Sequence, residues 1–182
     1  MREITFSPER ALESLIYLAH KLAQPTIHEL LKLRYFADKL HLSKYGWIAS
    51  GDEYVAMKFG PVATNTYNLI KAARGDHSPW IHPHFAKLVD GAIELSSGNL
   101  VEPLRESNIE MLSVADIECL NEAIRQYGNM EFNDRTELSH DEAWSKAWNA
   151  ASEASVGACE MPVKDIALTL DNAAEVLEYM DA

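Results

Sequence analysis

The sequence predicts a mainly α fold of the α+β class: a compact helical domain that carries a small antiparallel β-sheet or hairpin. Apolar residues recur at helical spacing through most of the chain, and several of these runs begin with a typical N-cap residue. Two short segments instead show the period-two alternation or the turn residues of strands and hairpins. Together these patterns indicate helices that pack around a minor sheet.

Length and composition favour one domain. The 182 residues are 47% hydrophobic, which is enough to bury a core without disulfides, a metal or a partner. We therefore expect residues 1–182 to form one domain without a separate DNA-binding module. Cys119 and Cys159 cannot make a disulfide framework, so a reducing cytoplasm is the expected location. No apolar run approaches the roughly 20 residues that span a bilayer, so no membrane partner is expected.

Two helices are predicted at the start of the chain. Ser7 is the expected N-cap of the first, and Pro8 occupies its first helical position. Thr26 and Glu29 then match the capping box, in which each side chain accepts a backbone N–H at the start of the second helix. Gly46 follows the last apolar residues of this helix and is its expected end.

Residues 47–59 change to period-two spacing, which predicts a strand. One side of the strand would carry Val55, Met57 and Phe59, and the other side would carry Tyr54, Ala56 and Lys58. We expect the strand to pair with Trp47 and Ile48 across a turn at residues 50–52. Gly60-Pro61 would end the ladder, because proline has no N–H, and would start the next helix.

A hairpin and three further helices are predicted in the second half. The segment IELSSGNLVEPL indicates a hairpin that turns at residues 97–99 and extends the same sheet. Ser113 opens a helix that closes at Gly128, and a capping box over residues 139–142 opens the next. One last helix follows Pro162.

Charge is distributed unevenly along the chain. The formal net charge is −12, of which residues 1–75 contribute +3 and residues 76–182 contribute −15. Phosphate backbones repel so acidic a chain, and the basic stretch KLRYFADKLHLSK is more typical of a solvated helix face than of a nucleic-acid site. An acidic C-terminal half would suit a basic protein partner.

The search for catalytic and metal-binding motifs gives one candidate. His77, His82 and His84 lie close together after Asp76, but neighbouring prolines and the lack of a second ligand pair favour a surface loop over a zinc site. There is no GxSxG elbow, no Walker loop and no GxGxxG. We therefore predict no enzyme activity and no cofactor.

Aromatic residues are concentrated in the second helix and the strand after it. Most are expected to lie in the core, because aromatic side chains bury large areas. The strand would nevertheless leave an edge with Tyr54 and Lys58 on its polar side. Such an edge can accept a partner strand or present an aromatic anchor to a groove. The concentrated aromatic residues are Tyr35, Phe36, Tyr45, Trp47, Tyr54 and Phe59.

Three segments carry a resemblance to a known family. LLKLRYFADKLHLSKYG, GDEYVAMKFGPVATNTYNLIK and ELSHDEAW resemble the Panacea domain, also called the SocA-like family. That family shares a helix of the form L-x-K-L-x-Y-F-A-x-x-x-H-L-x-x-Y-G, a strand ending in A-x-K-[YF]-G-P-V and a downstream element with His and Trp. The matching positions here are Leu33, Tyr35, Phe36, Ala37, His41, Leu42, Tyr45, Gly46, Ala56, Lys58, Phe59, Gly60, Pro61, Val62, Leu138, His140 and Trp144.

The resemblance implies an antitoxin of a bacterial or phage toxin–antitoxin pair, which neutralises a cognate protein toxin by direct binding. One family member acts as an adaptor that delivers its toxin to a AAA+ protease, so such a protease is a second implied partner. The family has no known catalytic residues or cofactor. Some relatives carry an added DNA-binding module, which we do not expect here because the chain begins directly with the first helix of the domain.

The predicted partner surface follows the strand, the Gly-Pro junction and the helix after it. Two other functions stay open at this point: a winged-helix DNA-binding regulator, and a metal-dependent enzyme that uses His77, His82 and His84. The sequence also leaves homo-oligomer formation open. The residues expected to contact the toxin are Tyr35, Tyr45, Trp47, Tyr54, Lys58, Phe59 and Asn65.

Overall fold

The structure is a computed structural model that describes residues 5–181. The fold is 59% helical with small antiparallel sheets of two and three strands, which confirms the predicted fold class. The helices are α1 (Pro8–Lys21), α2 (Ile27–Tyr45), α3 (Thr64–Ala73), α4 (His84–Val89), α5 (Val114–Tyr127), α6 (Phe132–Ser139), α7 (Glu142–Glu153), α8 (Val163–Leu168) and α9 (Ala173–Asp181). The strands are β1 (Tyr54–Met57), β2 (Gly60–Ala63), β3 (Ile93–Ser96), β4 (Leu100–Pro103) and β5 (Cys159–Met161).

Local capping sets the start of the first two helices as predicted. The Ser7 hydroxyl accepts the N–H of Arg10 at 3.3 Å, and the Thr26 hydroxyl accepts the N–H of Glu29 at 3.2 Å. A capping box would also have the Thr26 N–H donate to the Glu29 side chain. In the structure the Thr26 N–H instead donates to the carbonyl of Gln24. Gly46 ends α2 with a left-handed φ of +82°.

Helix α2 lies at the centre of the molecule and packs against α1, α5, α6 and β2. Its burial therefore extends beyond one apolar stripe, and every residue from Leu30 to Asp38 is buried. Two buried charged residues on this helix are paired: Arg34 Nε lies 3.1 Å from Asp38 Oδ2, and Tyr54 donates to the same oxygen at 2.7 Å.

The first strand pairs differently from the prediction. Strand β1 forms a hairpin with β2, in register Met57 to Gly60, with Lys58 and Phe59 in the turn. Trp47 and Ile48 belong to no strand. Gly60-Pro61 therefore starts a second strand rather than ending the ladder. A proline is compatible with β2 because β2 is an edge strand, where a missing N–H breaks no ladder bond.

The predicted extension of this sheet also needs correction. The hairpin of β3 and β4 turns at residues 97–99 as predicted, but it forms its own two-stranded sheet. The third strand of the first sheet is β5, which pairs with the free side of β1. No alternating pattern marks this three-residue strand, and its partner lies about a hundred residues earlier in the chain.

The C-terminal part is divided into more helices than predicted. Ser113, the predicted start of this helix, forms a capping box with Asp116 at the N-terminus of α5. Ser139, however, ends α6, and Asp141 is the N-cap of α7, where its carboxylate accepts the N–H of Trp144 at 3.0 Å. The single last helix is replaced by α8 and α9. Nearly all buried apolar side chains of the described residues form one connected cluster. No helix within residues 5–181 is long and apolar enough to cross a membrane.

Candidate functional site

The β1–β2 hairpin carries an exposed aromatic residue at its tip. Phe59 leaves 52% of its surface in contact with solvent, and the Lys58 ammonium lies 5.3 Å from the centre of its ring. The side facing the core carries Tyr54 and Ala56, both buried. Lys58 and Phe59 lie in the turn between the two strands, and both side chains are exposed.

A second exposed aromatic residue meets Phe59. Phe132, the first residue of α6, is 45% exposed, and its ring lies edge-on to Phe59 with centroids 5.9 Å apart. The His28 ring packs on the other side of Phe132 at 4.0 Å. We call Phe59 and Phe132 the aromatic pair. Large apolar side chains exposed next to each other are typical of binding surfaces.

The aromatic pair borders a groove with a volume of about 620 Å³. It runs between the N-terminus of α2, the hairpin, α3 and the start of α6. A volume of this size is in the range of pockets that bind small molecules or side chains of a partner. The lining residues are Thr26, Ile27, His28, Leu31, Lys32, Met57, Lys58, Phe59, Gly60, Val62, Tyr67, Arg74, Asn99 and Phe132.

Lys32 lies beneath the groove and holds the hairpin in place. Its side chain is only 2% exposed, and its ammonium donates to the carbonyl of Pro61 at 2.7 Å. Burial lowers the pKa of Lys32 to about 7, because the charged form loses its hydration. The bond to Pro61 connects the second turn of α2 to the edge strand of the hairpin.

Gly60 is required by the close packing under the hairpin tip. Its φ is +100°, a conformation that residues with a Cβ rarely adopt. A Cβ at this position would also collide with the hydroxyl of Ser139 and would lie 2.8 Å from the Cε of Lys32. The Gly-Pro pair therefore has a structural role: glycine permits the close approach, and the proline carbonyl accepts the buried lysine.

Two histidines adjoin Lys32. Burial lowers the pKa of His28 to about 4, with smaller contributions from Lys32 and Arg135, so its ring is neutral at pH 7. Burial, and then Lys32, also lowers the pKa of His140, whose ring stacks on Trp144 at 3.6 Å. Because the rings of His28 and His140 are neutral, they add no positive charge next to the buried ammonium of Lys32.

Trp144 fixes the hairpin from the opposite side. Its indole N–H donates to the carbonyl of Met57 at 2.9 Å. The hairpin tip is therefore held both by Lys32 of α2 and by Trp144 of α7, which leaves the aromatic pair on a rigid support. Preorganised side chains lose less conformational entropy when a partner binds.

The predicted contact residues are placed in three different environments. Lys58 and Phe59 line the groove. Tyr35 and Tyr54 are buried in the core, where their hydroxyls donate to Asp141 and Asp38, each at 2.7 Å. We correct the prediction for these two tyrosines, because a side chain with about 1% exposure has no surface to offer a partner.

The other three predicted contact residues lie outside the groove. Tyr45 and Trp47 are half-buried beside each other, with ring centroids 6.4 Å apart, at the far end of α2. Seventeen residues separate Tyr45 from His28, which corresponds to roughly 25 Å along a helix. Asn65 is half-buried in the first turn of α3, where its N–H donates to Asp52 at 2.9 Å.

The prediction missed His28 and Phe132 as parts of this site. A signal for Phe132 does exist in the sequence, since the residues three, four and seven positions after it, Arg135, Thr136 and Ser139, are all polar. A single apolar residue without helical partners is expected to be exposed. His28 lies in the first turn of α2, and nothing in the sequence connects it to residues a hundred positions later.

The structure gives little support to the other two functions left open. His82 and His84 have rings 6.4 Å apart, and no group of three His, Cys, Asp or Glu residues within 5–181 could hold a metal ion. The basic stretch of α2 is not a free cationic face. Lys32 and Arg34 are buried, while Lys39 and Lys44 form ion pairs with Asp141 and Glu118, so this helix offers no basic surface to DNA.

Comparison with known proteins agrees with the resemblance in the sequence. The model of the family described as "Antitoxin SocA-like, Panacea domain" matches residues 30–145, which is more than half of the chain. This range contains α2 from Leu30 onward, the β1–β2 hairpin and α6, and so most of the groove. Searches of curated proteins and of solved structures found no match. On the strength of the family match, the chain belongs to the SocA-like, Panacea-domain antitoxin family.

Proposed function

We propose that this protein is an antitoxin that neutralises a cognate protein toxin by binding it directly at the hairpin tip. The family supplies the antitoxin role. The observation that supports the location is the aromatic pair, two large exposed rings beside a groove of about 620 Å³. No chemical step is needed, because a bound protein can occlude a toxin's active site.

The surface has the properties of a binding hot spot. Hot spots are enriched in large side chains that fill or border a pocket, and a few such residues carry most of the binding energy. Here the support is rigid, since Lys32 and Trp144 both bond to backbone carbonyls of the hairpin. We assign the role of anchor to Phe59 and Phe132, with Lys58 at the rim.

Two outcomes of binding are compatible with this proposal. The toxin is either held in an inactive complex or delivered to a AAA+ protease, and we place both in the cytoplasm. The steady level of the toxin separates them: it stays constant if the complex only occludes the toxin, and it falls in cells with the protease if the toxin is delivered.

Co-expression tests the proposal. The protein encoded by the neighbouring reading frame is induced in cells with or without this chain, and growth and co-purification are measured. We expect the chain to restore growth and to co-purify with that protein. The double variant Phe59→Ala/Phe132→Ala should lose both properties, with affinity reduced at least about tenfold.

Trp80→Ala is the matched control, because Trp80 is also an exposed aromatic residue but does not line the groove. It should retain growth rescue. If the neighbouring protein is neither toxic nor bound, the antitoxin proposal fails. If both variants rescue growth equally, the toxin is bound elsewhere and the assignment of the hairpin tip fails.

A further inference from the structure

The groove carries a charge opposite to that of the whole chain. The formal net charge is −12, yet the fourteen residues that line the groove include three cations and no aspartate or glutamate. The cations are Lys32, Lys58 and Arg74. An acidic protein that keeps one concave surface free of carboxylates presents a local positive potential there.

None of these three basic side chains forms an ion pair with a carboxylate of residues 5–181. Lys32 donates to the Pro61 carbonyl at 2.7 Å, Arg74 donates to the Asn99 side chain at 3.1 Å, and Lys58 lies over the Phe59 ring. Lys58 and Arg74 are exposed and therefore accessible from the groove. Lys32 is buried and, with a pKa of about 7, carries only part of a positive charge at neutral pH.

The end of helix α2 adds to this potential. Ile27 and His28 are the first two residues of a nineteen-residue helix, and both line the groove. The Thr26 hydroxyl accepts the N–H of Glu29, but the N–H groups of Ile27 and His28 have no acceptor within the helix, and the helix dipole is positive at this end. The end of α2 and the basic side chains of the groove therefore both favour a negatively charged ligand.

Much of the remaining lining is apolar. Leu31, Met57 and Val62 line the groove together with the basic residues and the aromatic pair. A ligand that matches the groove carries carboxylates close to an apolar or aromatic side chain. A nucleic acid does not fit, because a long polyanion would also be repelled by the acidic remainder of the chain.

We propose that the groove binds a short acidic segment of the partner protein. Its carboxylates pair with Lys58 and Arg74, and an adjacent apolar side chain packs on the aromatic pair. This inference rests on the proposed function, since it names the chemistry of the toxin segment that occupies the site. The net charge of the chain led us to expect a basic partner, whereas the groove calls for an acidic segment. The charge of the groove itself decides which segment binds there.

Matched short peptides test the chemistry of the groove without the toxin. The probes are N-acetyl-Glu-Phe-Glu-amide, its Gln-Phe-Gln counterpart and its Lys-Phe-Lys counterpart, titrated at low salt while the amide resonances of Phe59 and Phe132 are followed by NMR. We expect the acidic peptide to bind about tenfold more tightly than the neutral one, as two ion pairs predict. Added salt should remove this preference.

The variant Lys58→Gln/Arg74→Gln should abolish the preference, and Lys87→Gln should preserve it, because Lys87 is exposed but lies outside the groove. Equal binding of the acidic and neutral peptides, or stronger binding of the Lys-Phe-Lys peptide, would overturn the inference. Inorganic phosphate and adenosine monophosphate are titrated in parallel. Tighter binding of either at the same resonances would assign the groove to a small phosphate ligand and also overturn it.

Charge reversal in the co-expression assay separates this inference from the proposed function. Lys58→Glu/Arg74→Glu should abolish growth rescue, whereas Lys87→Glu should not. Suppose that Phe59→Ala/Phe132→Ala loses rescue but the reversed variant keeps it. The hairpin tip then remains the toxin-binding surface, and only the acidic occupant is wrong.

Discussion

At the scale of one residue, Gly60 of the Gly-Pro motif allows the close packing under the hairpin tip. The glycine is needed for two separate reasons: its φ of +100°, and the lack of space for a Cβ next to Ser139 and Lys32. These two requirements can be separated by experiment, because Gly75 has a φ of +85° but nothing within 4 Å of its Cβ position.

We expect Gly60→Ala to destabilise the protein by about 3 kcal/mol or more, and Gly75→Ala by about 1 kcal/mol. Both variants incur the cost of a positive φ, but only the first also forces Ser139 and Lys32 apart. Urea unfolding followed by circular dichroism measures both values. Equal losses would mean that the packing under the hairpin tip is loose enough to accept a methyl group.

Lys32 makes stability depend on pH. Burial lowers the pKa of its ammonium to about 7 in the folded state, against 10.5 ordinarily. Between these values the unfolded chain binds more protons than the folded chain, so stability increases with pH. His28 and His140, which adjoin Lys32, contribute little above pH 7, because burial lowers the pKa of both.

The stability of the natural chain relative to Lys32→Met should therefore rise by on the order of 3 kcal/mol between pH 6.5 and pH 10. Urea unfolding at several pH values gives this difference. Lys87→Met serves as a control, since Lys87 is exposed. The difference in unfolding free energy between the natural chain and this variant should not change with pH. If the difference in unfolding free energy between the natural chain and Lys32→Met also did not change with pH, the Lys32 ammonium would be hydrated in the folded protein.

At the scale of elements, α6 is the part of the site that the sequence did not predict. It presents Phe132 to the groove, and Arg135 fixes it to α2 through an ion pair with Glu29 at 2.8 Å. Arg135 also donates to the carbonyl of Tyr127 at 3.3 Å. One buried guanidinium therefore joins α6, α2 and the end of α5.

Arg135→Ala should cost about 3–5 kcal/mol of stability, because it leaves the carboxylate of Glu29 without its partner in a largely buried position. The control is Arg125→Ala. Arg125 also pairs with a glutamate, Glu122, but its side chain is 70% exposed against 5% for Arg135. The control should lose less than about 1 kcal/mol. Thermal unfolding compares the two, and similar shifts would contradict a structural role for the Arg135 pair.

At the scale of the whole molecule, the core extends beyond the segment that defines the family. The family match ends at residue 145, yet Met161, Ile166 and Val176 belong to the same connected core. Strand β5 also completes the sheet by pairing with β1. The C-terminal elements therefore support the strand that carries the hairpin tip.

Ile166→Ala should destabilise the protein by about 2–5 kcal/mol, since Ile166 is fully buried in α8. Leu168→Ala in the same helix should change stability by less than about 0.5 kcal/mol, because Leu168 is more than half exposed. Calorimetry on both variants checks this. If Ile166→Ala were as stable as Leu168→Ala, the C-terminal helices would not share the core of the family segment.

The sequence by itself determined the fold class and the starts of α1, α2 and α5. Each of these starts depends on a side chain that accepts an N–H three residues away, as at Ser7, Thr26 and Ser113. Interactions over so short a distance are visible in a single sequence. The family motif likewise identified Lys58 and Phe59 as candidates for binding.

The tertiary structure alone decided which residues form the site. Tyr54 is buried and Phe59 exposed because the sheet rests on α2 and α7, and alternation along a strand cannot tell which side faces the core. Phe132 meets Phe59 across seventy residues of chain, and β5 meets β1 across a hundred. Burial and local charge depend on what packs from distant parts of the chain, and only the folded arrangement sets them.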